Sequence, residues 1–255
     1  MGEGPCGSGV LGRHVLDARS THAVENGPEQ ASRVDRYRRA ELRIRSWQRG
    51  PGHPGVEIDD WMPVYRKWKN VHARYWDSMV AMNTVDAIWW NKERSNIGAI
   101  VVALGGLGHV SLQEHTVDKR KQGERSRGRS DLWTRIGTRT HSMEAKFCWH
   151  ALGRKDPKSR VRSALKAARA DAWKLRKGDA DFRAGLVFAC PYIAESRSIS
   201  LEKGLKAFLS DDFGVKDVFP RGGLRIDLYP KWGREVQATG GAICPGVTVF
   251  HGFVD

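Results

Sequence analysis

Apolar and polar positions alternate in two rhythms along the chain, and the changes of rhythm predict its elements. Over residues 60–82, Trp61, Val64, Trp68, Val71, Tyr75, Met79 and Met82 recur three or four positions apart, which predicts a long amphipathic helix with an aromatic face. That stripe reads as core rather than as a base-stacking platform, because large aromatics dominate buried packing. Asp59 or Asp60 is placed to cap the start, with Pro63 in the first turn, where no internal hydrogen bond is lost. A second helix is predicted over residues 85–104, stopped by Gly105-Gly106. From residue 109 to 117 (HVSLQEHTV) the period drops to two, as in a half-buried strand. Residues 128–136 and 140–147 also read as strands, with Gly137-Thr138 as the turn between them. Residues 182–193 contain a continuous apolar run expected of a buried central strand.

The pattern then predicts a helix over residues 158–177, where Val161, Leu165, Ala168, Ala172 and Leu175 form the apolar stripe among many lysines and arginines. Another follows over residues 200–210, starting from a serine cap, and further strands are predicted at 224–229 and 247–254. Residues 1–32 lack periodicity and are expected to be a flexible tail. Residues 33–49 carry seven arginines interleaved with Val34, Tyr37, Leu42, Ile44 and Trp47, which suggests a basic amphipathic helix. It serves either as a solvated face or as a phosphate-gripping arm. Residues 118–129 (DKRKQGERSRGR) are polar and contain two glycines, and they are expected to form a mobile loop between the first two strands of the core. The organisation expected is an N-terminal helical region (33–82), a core (83–195) and a C-terminal extension packed on it (196–255). The fold class is α/β with a mixed sheet.

Charge narrows the partners. Forty-three Lys and Arg against 29 Asp and Glu give a formal net charge of +14, which favours nucleic acid or an anionic surface. A membrane span is not expected: the longest apolar run, residues 97–108, falls short of the roughly 18 residues a bilayer requires. No apolar signal-peptide segment occurs in the first thirty residues, and the Met1-Gly2 start lacks the Ser or Thr at position 6 that myristoylation uses, since Cys6 stands there. These features predict a cytoplasmic protein. The four cysteines, Cys6, Cys148, Cys190 and Cys244, are too scattered for a structural zinc site and read as free thiols. Neither a nucleophile elbow nor a P-loop appears.

The candidate chemistry lies in the two central strands. Asp131 precedes Glu144-Ala145-Lys146 at hairpin distance, so adjacent strands could bring two carboxylates and an amine together. Carboxylates gather a hard divalent cation, and such an ion with a lysine is equipment for hydrolysing a phosphodiester. A decoy, Asp156-Pro157-Lys158, also fits D-x-K, but Pro157 and its polar surroundings place it in a turn. Glu144 and Lys146 share parity on a strand, which a surface ion pair would equally satisfy.

The order helix, strand, strand, strand, helix, strand, with Asp131 in GRSDLW and Glu144, Ala145 and Lys146 in SMEAKF, resembles the PD-(D/E)XK, or restriction-endonuclease-like, nuclease superfamily. The resemblance covers roughly residues 85–193. Ser130 stands where the proline of the motif's name would be, and no glutamine marks the helix after the triplet. What the resemblance implies is an αβββαβ core and a Mg²⁺-dependent nuclease, expected to act as an endonuclease, with Mn²⁺ as a substitute ion. Glu93 in NKERSNIGAI falls at the family's helix glutamate. Asp131, Glu144, Glu93 and the carbonyl of Ala145 would then be ligands, and Lys146 would orient or deprotonate water or stabilise charge. DNA is the expected substrate over RNA, a homodimer is compatible, and the alternative is a non-catalytic nucleic-acid-binding scaffold. Lys119, Arg120, Lys121, Arg125, Arg127 and Arg129, together with Lys158, Arg160, Arg162 and Lys166 of the following helix, are expected to hold backbone phosphates.

Overall fold

In the computed structural model, which describes residues 41–48, 56–82, 84, 86–121, 124–153, 158–194, 200–229, 237–238 and 242–254, the apolar run after residue 181 forms the central strand of a mixed sheet. The strands are β1 (Glu41–Gln48), β2 (Val110–Lys121), β3 (Glu124–Ile136), β4 (Arg139–Ala151), β5 (Phe182–Ala194), β6 (Gly222–Tyr229), the short β7 (Gln237–Ala238) and β8 (Ala242–Ile243), and β9 (Val247–Phe253). The helices are α1 (Val56–Ala81), α2 (Lys92–Gly105), α3 (Lys158–Lys174), α4 (Leu201–Ser210) and α5 (Val215–Val218), with a 3₁₀ turn at Ile88–Trp90. Strands lie in the order β1-β6-β9-β5-β4-β3-β2, with β8 on the end of β5 and β7 on β8. Among the described residues only β4 and β5 run parallel, and α3 is the crossover that a parallel pair requires.

Alternation along the central strands divides the core into two layers. Met143 and Ala145 of β4, Leu186 and Phe188 of β5, and Leu224 and Ile226 of β6 pack with α1 and α2. Val187 and Ala189 of β5 and Phe250 of β9 pack instead with α3, α4 and α5. β5 is buried along almost its whole length because helices cover both faces. The first half of the α1 stripe is core as expected, with Trp61, Val64 and Trp68 fully buried, but further on the buried face passes to His72, Trp76 and Val80, leaving Val71, Tyr75 and Met79 half-buried and Met82 exposed. The Ser200 cap also forms, its Oγ accepting the Lys203 N–H at 3.2 Å.

Several expectations are corrected. Within the segment read as a basic helix, residues 41–48 form β1, antiparallel to β6; the rest of that segment and the 1–32 tail lie outside the described residues. Leu42 and Ile44 alternate with Glu41, Arg43 and Arg45 at a period of two, and Trp47 packs into the opposite core layer. The mobile loop expected over residues 118–129 is instead the continuation of β2 and β3, paired through Lys121↔Glu124, with only residues 122–123 undescribed. α1 begins at Val56, so Asp59 and Asp60 lie within it rather than capping it, and Pro63 sits on an exposed position inside the helix. The helix predicted over 85–104 is a 3₁₀ turn followed by α2, and α3 stops at Lys174 rather than residue 177. Among the described residues no helix is long and apolar enough to cross a membrane. Cys148, Cys190 and Cys244 are free thiols.

Candidate functional site

The β3–β4 ladder runs from Ile136↔Arg139 to Leu132↔Met143 and stops there. The next two positions in that register are Asp131 and Glu144. Beyond them β3 stays with β2 and β4 stays with β5, so the strands part like a fork with one carboxylate on each prong. Side chains replace the missing ladder at the crotch. Asp131 Oδ2 accepts the Ala145 N–H at 2.7 Å, Ser130 Oγ donates to the Met143 carbonyl at 3.0 Å, and Ser142 Oγ donates to Ser130 Oγ at 2.9 Å. A proline at position 130 could not make these bonds, which gives the serine a local role. On the other side, Glu114 lies opposite Asp131 in the β2–β3 register, has φ 51° and is the one interior position where that ladder lacks a pair.

Glu144 and Lys146 share a face of β4, since Met143 and Ala145 between and beside them turn to the α1/α2 layer. Glu144 is 4% exposed. Burial raises its carboxyl to about 7 against the opposing pull of the Lys119 ammonium, and the Asp131 charge adds to the rise. The Lys119 ammonium of β2 lies 2.8 Å from Glu144 Oε1. Lys146 Nζ lies 2.8 Å from Asp171 Oδ2 on α3, and Asp171 also holds Lys174 at 2.7 Å. Burial depresses the Lys146 pKa, but the Asp171 hydrogen bond and charge outweigh it and leave the group above its ordinary value. An ammonium so held stays protonated at neutral pH, which suits stabilisation of negative charge better than proton abstraction.

Glu93 lies in the first turn of α2. Burial and then the Asp131 charge raise its carboxyl to about 7, while Lys146 acts in the opposite sense. Glu93, Asp131, Glu144 and Lys146 therefore occupy one electrostatic neighbourhood, drawn from a helix and two strands. They do not form a finished ligand shell: among the described residues no three His, Cys, Asp or Glu side chains are grouped closely enough to hold a metal ion. Ala145, between the two triplet side chains, has its N–H committed to Asp131.

The expected phosphate contacts divide between two surfaces. Past the fork β2 and β3 continue as a two-stranded ribbon, and Arg125, Arg127 and Arg129 project from its exposed face. Arg129 also approaches Glu114 at 3.4 Å. Lys119 occupies the other face of the ribbon, half-buried, while for Arg120 and Lys121 only the backbone is described. On α3, Lys158 pairs with Asp211 at 2.8 Å and Arg162 with Asp217 at 3.5 Å, whereas Arg160 and Lys166 are exposed. Asp171 and Glu114 were not among the expected site residues. A cue for Asp171 exists, since it interrupts the basic helix beside the apolar stripe positions Ala168 and Ala172.

Set against family models, curated proteins and solved structures, the chain matches none.

Proposed function

We propose that the chain is a metal-dependent nuclease that hydrolyses phosphodiester bonds, with DNA preferred over RNA, on a restriction-endonuclease-like core running from α2 to β5. The observation that carries this reading is the strand fork, which sets Asp131 beside the Glu144-Ala145-Lys146 triplet in a chain of formal net charge +14. The donor set suits a hard divalent ion: Asp131, Glu144 and Glu93 carboxylates with the Ala145 carbonyl would hold it, and two carboxyls raised to about 7 are groups that a cation would keep ionised. When bound, such an ion polarises a phosphoryl oxygen and lowers the pKa of coordinated water. Lys146, steadied by Asp171, faces the same space and stabilises the negative charge that develops on the phosphoryl group. Arg125, Arg127 and Arg129 hold backbone phosphates without reading sequence.

A second reading has one specific observation in its favour. Glu144 and Lys146 each already have an internal partner, Lys119 and Asp171, as expected of a nuclease-like scaffold that binds nucleic acid without cutting it. Incubating the purified protein with supercoiled, linear and single-stranded DNA and with RNA, in Mg²⁺, Mn²⁺ or EDTA, separates the two. Metal-dependent products that disappear in Asp131→Ala and Lys146→Ala support the enzyme. A mobility shift without products supports the binder, and cleavage that persists in both variants overturns the site assignment.

A further inference from the structure

Lys119 stands apart from the other basic residues of the ribbon because its charge is turned inward. It comes from β2, beyond β3 in the sheet order, and yet its Nζ reaches Glu144 Oε1 on β4 at 2.8 Å. Two backbone features direct it there. Lys119 is bridged to Leu175 just past the end of α3, which holds its Cα against that helix. Gly128 clears the route for its stem: a Cβ at that position would lie 2.7 Å from Lys119 Cδ, 3.0 Å from Cγ and 3.2 Å from Cε. The glycine is therefore a track for the lysine, which explains a Gly in a strand where a side chain would otherwise stabilise the ladder.

Resting on the nuclease reading, we propose that Lys119 is a built-in cation that keeps the Glu144 carboxylate paired until a divalent ion displaces it. The buried carboxylate needs a positive neighbour or a proton. An ammonium at 2.8 Å supplies one, and it occupies the space on Glu144 that a hard metal ion would share. Two cations that close repel, so the lysine and the metal compete for the same oxygen.

The test is Mn²⁺ binding at pH 8.5 by calorimetry on the full chain, wild type against Lys119→Met, Gly128→Ala and Asp131→Asn. Removing the competing charge, or blocking its track, is expected to tighten Mn²⁺ binding about tenfold, with Asp131→Asn weakening it. In the wild type, the lysine ammonium ¹H–¹⁵N signal missing from Lys119→Met should be lost on titration with Ca²⁺. Wild-type binding that Asp131→Asn weakens, combined with equal or weaker binding in Lys119→Met and Gly128→Ala, overturns the Lys119 role while leaving the nuclease reading intact. Failure of every chain to bind Mn²⁺ overturns both.

Discussion

The Lys146 ammonium and the Asp171 carboxylate, 2.8 Å apart, tie the strand that carries the triplet to the helix that packs behind it. Asp171 is held below its ordinary pKa although burial pushes it up, because hydrogen bonds from Lys146 and Lys174 outweigh that burial. Under the proposed nuclease reading it would act through Lys146 as a positioning residue. On that reading, Asp171→Asn removes the charge that raises the lysine, so the alkaline limb of cleavage should move to lower pH. A pH–rate profile on supercoiled DNA checks this. A loss of thermal stability with an unshifted profile would assign Asp171 a structural role alone.

Glu144 makes stability depend on pH in a defined direction. Burial raises its folded-state carboxyl from 4.5 to about 7, so its stabilising contribution is complete below pH 4.5 and is lost as pH rises through 7. Glu93 shifts in the same sense. Glu144→Gln cannot ionise, and between pH 5 and pH 8 its stability relative to wild type should rise by about 2–3 kcal/mol. Urea unfolding at both pH values measures it. Parallel pH dependence in the two proteins would exclude a raised Glu144 carboxyl in the folded state.

The interior predicts acid sensitivity. His72 is 2% exposed, both its ring nitrogens lack a hydrogen-bond partner among the described residues, and burial lowers its pKa from 6.5 to about 3. His141 is lowered to about 4 by burial and by Arg139. A base lowered in this way stabilises the fold above pH 6.5 and loses that contribution as pH falls toward the folded value. His72→Phe keeps a ring against Trp68 and Trp89 and removes the penalty, so at pH 5 it should gain about 1–2 kcal/mol over wild type relative to pH 8. Chemical denaturation at the two pH values is the check, and an unchanged difference would refute it.

The ribbon predicts a salt effect. On the proposed DNA-binding reading, each phosphate neutralised releases counterions, so replacing Arg125, Arg127 and Arg129 by alanine should reduce the slope of log affinity against log salt by about 2–3 for duplex DNA. Fluorescence anisotropy across a salt series measures the slope. An unchanged slope would move the phosphate contacts elsewhere, with the exposed Arg160 and Lys166 of α3 as the next candidates.

The order of elements from α2 to β5 was legible because each element has a strong period of its own, whether in the buried run of β5 or the apolar stripe of α3. Asp131 and Glu144 were legible as a pair because a two-residue turn fixes which positions of β3 and β4 can face each other. The strands through residues 118–129 were not, because two of their charges are met by distant chain, Lys119 by Glu144 and Asp118 by Arg176, 3.8 Å away. Hydropathy reads such residues one at a time and sees only solvent-seeking groups. β1 was missed for a related reason, since Arg45 reads as surface charge and yet meets the buried Asp227 at 2.6 Å.

The antiparallel pairing of β1 with β6, Glu41 opposite Tyr229, has a consequence for synthesis. On the ribosome the first of these strands emerges long before its mate has been translated, so Leu42, Ile44 and Trp47 must wait without their final cover. Closure of that edge is thus a late event in the life of the nascent polypeptide, with a long-range contact of the kind that slows folding.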